Sequence, residues 1–170
     1  MSEKVVIIGG GPTGLLLAHY LLRRENYHVE IYERRPDPRQ TKFEAERTFP
    51  INLQERGRKA LREIEGLEEA VLQESVCITG TTSYSQKSRR IPRKQPLICL
   101  DRNQLVKIIL QHLGETDHGS RLKLNFNAKL IALDDTKNTA NIESENGEIL
   151  AVNYDRIVAA DGARSRIRQY

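Results

Sequence analysis

Apolar and polar positions along this chain sort into short strands and amphipathic helices. Val5-Val6-Ile7-Ile8 is an unbroken apolar run, the pattern of a strand buried on both faces. Apolar residues then recur at helical spacing from Leu15 to Leu22, and Val29-Glu30-Ile31-Tyr32 reads as a second strand. Residues 34–50 hold three prolines and many charges, which predicts a long excursion. Leu53, Ala60, Leu61 and Ile64, with good helix formers between them, predict a helix over 54–64. Gly66 stops it, and a short helix over 67–73 follows. Val76, Ile78, Tyr84, Ile91 and the run Leu97–Leu100, set among many Ser and Thr, predict β structure over 76–100. Asp101 suits the cap of a helix from Arg102 to about Leu113, with Leu105, Val106, Ile109 and Leu110 inward. Beyond Gly119 the pattern is strand throughout: 121–124, 128–133 and 139–143. Asn146-Gly147 then turns a hairpin into 148–152, and Ile157–Ala160 is a buried-type strand that runs into Asp161-Gly162.

What lies between the first two strands changes the picture from fold to chemistry. Gly9-Gly10-Gly11-Pro12-Thr13-Gly14 joins strand to helix, and Glu33, nineteen residues past Gly14, closes the second strand. A dinucleotide-binding βαβ unit requires that order and spacing. Gly9 permits the sharp turn, Gly11 removes a side chain where a pyrophosphate approaches, and Gly14 lets helix and sheet pack closely. The helix start offers unpaired N–H groups and a positive dipole end to phosphate. Glu33 can accept hydrogen bonds from ribose hydroxyls, which favours a free 2′-hydroxyl, as in FAD or NAD. Arg34 and Arg35 beside it keep a 2′-phosphate open.

Composition narrows the class. With 170 residues, 29% charged and 38% apolar, the chain has room for one domain or slightly more, with a thin core. No apolar run approaches a membrane span, and the run at Val5 is too short for a signal peptide. Cys77 and Cys99 are isolated, so neither a metal site nor a disulfide framework is indicated, and a reducing, cytoplasmic setting is expected. Lys87, Arg89, Arg90, Arg93 and Lys94 supply much of the net charge of +4. Without interleaved aromatics or a reading module they predict a solvated face or an anion-attracting rim, not a nucleic-acid partner. His19, His28, His112 and His118 read as surface or packing residues, and no catalytic triad or carboxylate pair stands out.

Asp161-Gly162-Ala163-Arg164-Ser165 echoes the opening: a strand, a tight turn, then an expected basic helix start. Two such turns at strand C-termini converge on one edge of a sheet. Together with Arg47-Thr48-Phe49-Pro50-Ile51-Asn52-Leu53, Arg56-Gly57-Arg58 and Asp101-Arg102-Asn103-Gln104-Leu105, these motifs cover essentially the whole chain. The chain resembles the class A flavoprotein monooxygenases, the aromatic hydroxylases, and most of all their kynurenine 3-monooxygenase-like members. The resemblance implies a Rossmann-like α/β FAD-binding domain. Its dinucleotide-binding core would span about 1–75 and 101–170, with an inserted β-rich part of the substrate domain at about 76–100.

By the same resemblance, Gly9, Gly11, Pro12, Thr13 and Gly14 hold the FAD pyrophosphate, Glu33 the ribose, and Arg34 stands beside it. Arg47 lies in the flavin-side cleft, Arg102 contacts the FAD, and Asp161 and Gly162 serve both FAD and NADPH. NADPH reduces the flavin, which then activates dioxygen to hydroxylate an aromatic or similar small-molecule substrate. The arginine and tyrosine with which kynurenine hydroxylases grip the substrate carboxylate correspond to the neighbourhood of Thr79 and to Arg93. The tyrosine is missing here, which speaks against kynurenine itself. Relatives continue well past the point matching Tyr170. The expectation is therefore an N-terminal FAD-binding portion, truncated or completed by a complementing C-terminal chain. The alternative is a non-catalytic dinucleotide-binding module or partner subunit. An NAD-linked dehydrogenase fits the Asp161 and Arg102 motifs less well.

Overall fold

The computed structural model describes residues 2–40, 50–84, 88–115, 118–163, 165 and 167–169. Its contacts divide the chain into two compact units, one of residues 1–42 with 109–170 and one of residues 43–108.

The first unit is built on a parallel sheet. Strand β1 (Glu3–Ile8) leads through helix α1 (Pro12–Leu22) to β2 (Tyr27–Tyr32). Ten strands and four α-helices make up the described chain, and β6 (Leu122–Asn125) and β10 (Arg156–Ala159) complete this sheet in the order β10-β1-β2-β6. All three pairings are parallel, with Ile8 opposite Tyr32 on one side and Ala159 on the other. The C-terminal ends of the strands are therefore level along one lip. The strand order turns at β1, because α1 carries the chain to β2 while β10 lies on the other flank. Open α/β sheets bind ligands at such a switch point.

Alternation along the strands explains the layers. Ile7 meets the helix side, since a Cβ placed on Gly14 of α1 would lie 3.2 Å from Ile7 Cγ2. Val6, Ile8 and Tyr32 face the other way, into a core shared with Ala128, Leu130, Ala140, Ile142, Val152 and Tyr154. Those partners sit on or beside an antiparallel meander, β7 (Lys129–Asp134), β8 (Thr139–Glu143) and β9 (Ile149–Asn153). Gly147, at φ +80°, makes the β8–β9 turn expected at Asn146-Gly147. With both faces covered, the Val5–Ile8 stretch of β1 has to be apolar.

The second unit holds a three-stranded antiparallel sheet, β3-β5-β4, and helices α2 (Glu55–Arg62) and α3 (Leu67–Gln73). β4 (Val76–Tyr84) and β5 (Ser88–Asp101) form the hairpin expected over 76–100. Strand β3 (Pro50–Leu53) was not expected from the sequence; it ends at Leu53, just before the helix expected over 54–64. Pairing of Leu53 with Ile98 decides the matter, and that pairing is invisible to local helix propensity. Glu68, 5% exposed, accepts from Arg58 Nε at 2.9 Å and Arg62 Nε at 2.7 Å, joining α3 to α2. Helix α4 (Arg102–Glu115) starts where Asp101 Oδ1 accepts the amides of Asn103 and Gln104, at 2.8 and 2.9 Å. Among the described residues, no helix is long and apolar enough to cross a membrane.

Candidate cofactor site

The lip of the parallel sheet carries both turns singled out in the sequence, and they touch. Gly9 has φ +113°, a region closed to most side chains, and its amide donates to the Tyr32 carbonyl at 2.9 Å. A Cβ on Gly9 would lie 2.8 Å from the Asp161 amide nitrogen and nearer still to the Ala160 carbonyl. Ala160 is held there by its own amide, which donates to the Ile8 carbonyl at 2.8 Å. Gly14 is buried in the same contact, because a Cβ there would strike the Gly9 carbonyl and sit 3.2 Å from Ala160 Cβ. Two of the motif's glycines thus let three backbones close on one another.

Helix α1 opens at this point. Gly11 is the N-cap, extended at φ −78° and ψ 176°, with Pro12 at the first helical position, where a missing N–H costs nothing. The Leu15 amide closes the first turn on the Gly11 carbonyl at 3.0 Å. The amides of Thr13 and Gly14 have no intrahelical acceptor, as at any helix start. Thr13 is exposed and Gly11 and Pro12 are half-buried, so the helix start is open to solvent.

Glu33 follows β2 at the same level. Its Oε2 accepts the Gly10 amide at 2.8 Å and its Oε1 accepts the Arg35 amide at 2.9 Å. Gly10 did not figure among the candidate residues. A Cβ at Gly10 would come 3.0 Å from Glu33 Cβ, a tight contact at the point where the two meet. The carboxylate is therefore aimed by the turn it faces, with lone pairs remaining for another donor. One strand position back, Tyr32 donates to Glu30 Oε2 at 2.7 Å, and Lys4 and Lys123 reach Glu30 Oε1 at 3.1 and 3.2 Å. Burial pushes the Glu30 carboxyl up, but these hydrogen bonds together outweigh it and hold it below its ordinary value. Burial and the Glu30 contact raise the Tyr32 phenol, so it stays a donor.

The remaining candidates are distributed differently. Arg34 is exposed beside Glu33, and Asp161, half-buried, follows the Ala160 contact. Gly162 has φ +86° with open space around it, and its carbonyl accepts from the Ser165 amide and Arg168 Nη2, both at 3.1 Å. Among the described residues after it, the helical structure is a single 3-10 turn, Ile167–Gln169, in place of the expected basic helix start. Arg102 stands half-buried at the first position of α4, in the second unit. Arg47 lies outside the described residues. His19 is 5% exposed and bonds through Nε2 to the Ile109 carbonyl at 3.2 Å, which makes it a packing residue. Burial pushes its pKa down to about 4. No group of three or more metal-ligating side chains occurs among the described residues.

Sequence reasoning also passed over the turn after β6. The Glu33 amide donates to the Asn125 carbonyl at 2.8 Å, Ala128 donates to the Glu33 carbonyl at 2.9 Å, and Asn127 to the Arg35 carbonyl at 3.0 Å. Asn127 has φ +52°, and an Asn between two strands was the available signal.

Comparison with known proteins gives this lip its context. Curated kynurenine 3-monooxygenases match from end to end: the one of Phaeosphaeria nodorum is 31% identical over all of this chain and 38% of its own length. That of Salinispora tropica is 34% identical over 98% of this chain and 38% of its own length. The chain thus spans about two fifths of the curated relatives it matches. Among solved structures, p-nitrophenol 4-monooxygenase from Pseudomonas putida DLL-E4 aligns over 98% of the chain with a TM-score of 0.71 at 21% identity. A 2-methyl-3-hydroxypyridine-5-carboxylic acid oxygenase aligns over 97% with 0.69 at 22%. These last two speak for the fold, the mixed α/β architecture with a parallel sheet that the motifs implied. The family model described as "FAD binding domain" matches residues 2–170, and the chain belongs to that family.

Proposed function

We propose that the chain holds the ADP portion of FAD at the lip where Gly9 meets Ala160 and Asp161, as the N-terminal part of an NAD(P)H-using monooxygenase. The observation that carries this reading is that contact: two turns, about 150 residues apart in sequence, packed together at the switch point of a parallel sheet. The residues present suit the group. The start of α1 offers the amides of Thr13 and Gly14 and the positive end of the helix to a diphosphate, with Gly11 and Pro12 shaping the approach. The remaining lone pairs of Glu33 take ribose hydroxyls, and the bonds from Gly10 and Arg35 keep them pointed. Arg34, beside Glu33, supplies permanent positive charge for phosphate, and Asp161 and Gly162 line the second side.

FAD, when bound, supplies the redox chemistry of oxygen insertion, with NADPH as the source of electrons. The chain's own share is binding, orientation and the exclusion of water. The substrate of the whole protein is then a small aromatic or similar organic molecule, and its pocket would draw on sequence matching the rest of the relatives. Neither nucleic acid nor a membrane segment within this chain enters the reading, and a cytoplasmic setting goes with it.

The test is direct. Purified chain is mixed with FAD, desalted, and its visible absorbance recorded. Retained oxidised flavin is expected, and complete separation of flavin from protein would overturn the proposal. A Gly14→Val variant is expected to come through the column colourless, because its side chain would fill the contact with Gly9 and Ala160.

A further inference from the structure

Beside the lip lies a cluster that the proposed function does not use. Asp37, 8% exposed, receives Arg39 in a fork: Nε reaches Oδ1 at 3.0 Å and Oδ2 at 3.1 Å, and Nη2 reaches Oδ2 at 2.6 Å. The Arg39 amide adds a bond to Oδ1 at 2.9 Å. The guanidinium carbon stands 5.9 Å from the centroid of the Phe126 ring, within cation–π range. Phe126 is the middle of the Asn125–Asn127 turn, the segment whose backbone bonds on both sides to Glu33 and Arg35. An ion pair whose arginine is exposed adds little net stability, because water screens much of the attraction. Its geometric consequence is larger. The fork fixes the course of the chain just after Glu33, and the ring ties that course to the turn that grips the Glu33 peptide from both sides.

We propose that Asp37, Arg39 and Phe126 form a positioning clasp that aims Glu33 at the adenosine ribose, so that they set affinity for the ADP portion of the cofactor without touching it. This rests on the FAD reading above. The clasp acts through one carboxylate, so its effect disappears when that carboxylate is absent, whereas a residue that merely supports the fold weakens binding in either background.

The experiment is a double-mutant cycle read by calorimetric titration of ADP into the full chain. Arg39→Lys keeps the charge and loses the fork, and Phe126→Leu keeps the bulk and loses the ring. Each is expected to weaken ADP binding about tenfold in the wild-type background and less than about twofold when combined with Glu33→Gln. Phe126→Tyr, which retains the ring, is expected to bind as wild type. Equal losses in both backgrounds, or no loss in either, would overturn the inference, and if Phe126→Leu does not fold, Arg39→Lys decides alone. A wild-type chain that binds neither FAD nor ADP would overturn the FAD reading and this inference together. Variants indistinguishable from a binding-competent wild type would overturn this inference only.

Discussion

The contact between the two turns can be weighed by adding one methyl group to each. At Gly9 an alanine faces two penalties. Its φ of +113° costs an L-residue about 1–2 kcal/mol. Its Cβ would also lie within 2.8 Å of the Asp161 nitrogen and press on the Ala160 carbonyl. Both are backbone atoms, pinned by the Ala160–Ile8 hydrogen bond and by β1–β10 pairing, so relief requires parting two strands. Overpacking of that kind costs about 1–3 kcal/mol more. Gly162 faces only the first penalty, since φ is +86° but nothing lies within 4 Å of its Cβ position. Gly9→Ala should therefore exceed Gly162→Ala by about 2 kcal/mol, or about 4–8 °C in Tm for a chain of this size. Urea unfolding followed by far-UV circular dichroism measures both variants in parallel. If the two lose the same stability, the turns do not press on each other, and the argument for a shared lip loses its physical basis.

Other consequences follow from particular groups. His19 is buried neutral with its pKa near 4, against an ordinary value of 6.5. The unfolded chain thus takes up a proton first as pH falls. Stability is whole above about pH 6.5 and declines by about 3 kcal/mol on the way to pH 4. His19→Gln, which can still donate to Ile109, should flatten that slope in urea titrations at stepped pH, and an unchanged slope would assign it to other groups. Tyr32→Phe removes the donor to Glu30 in the core and should cost about 1–1.5 kcal/mol by urea unfolding, with an undetectable loss counting against the network. Asp101→Ala strips the acceptor from two amides at the start of α4 and should cost about 1 kcal/mol, with amide hydrogen exchange rising at Asn103 and Gln104. Glu68→Ala should cost the second unit about 1–2 kcal/mol, discounted because Arg58 and Arg62 keep access to water, and differential scanning calorimetry would show it.

The opening βαβ unit was legible because each of its signals is local. An apolar run needs no partner to be recognised, and glycine at a strand–helix turn reports a backbone state that few other residues adopt. The Asn146-Gly147 hairpin and the Asp101 cap were legible for the same reason. Strand β3 was not: Pro50–Leu53 is a strand only because β5 lies beside it, some 45 residues on. The part played by Gly10 needed the knowledge that Glu33 folds back over it.

Local sequence therefore settled the opening strand–helix–strand unit, the glycine turn within it and the acid that follows its second strand, since backbone sterics and side-chain periodicity act within a few residues. Tertiary pairing alone settled that Ala160 presses on Gly9, that Gly10 donates to Glu33, and that Arg39 meets Phe126. Two of these contacts join residues about 90 to 150 positions apart, and their existence depends on strand order and register, which a one-dimensional pattern does not carry.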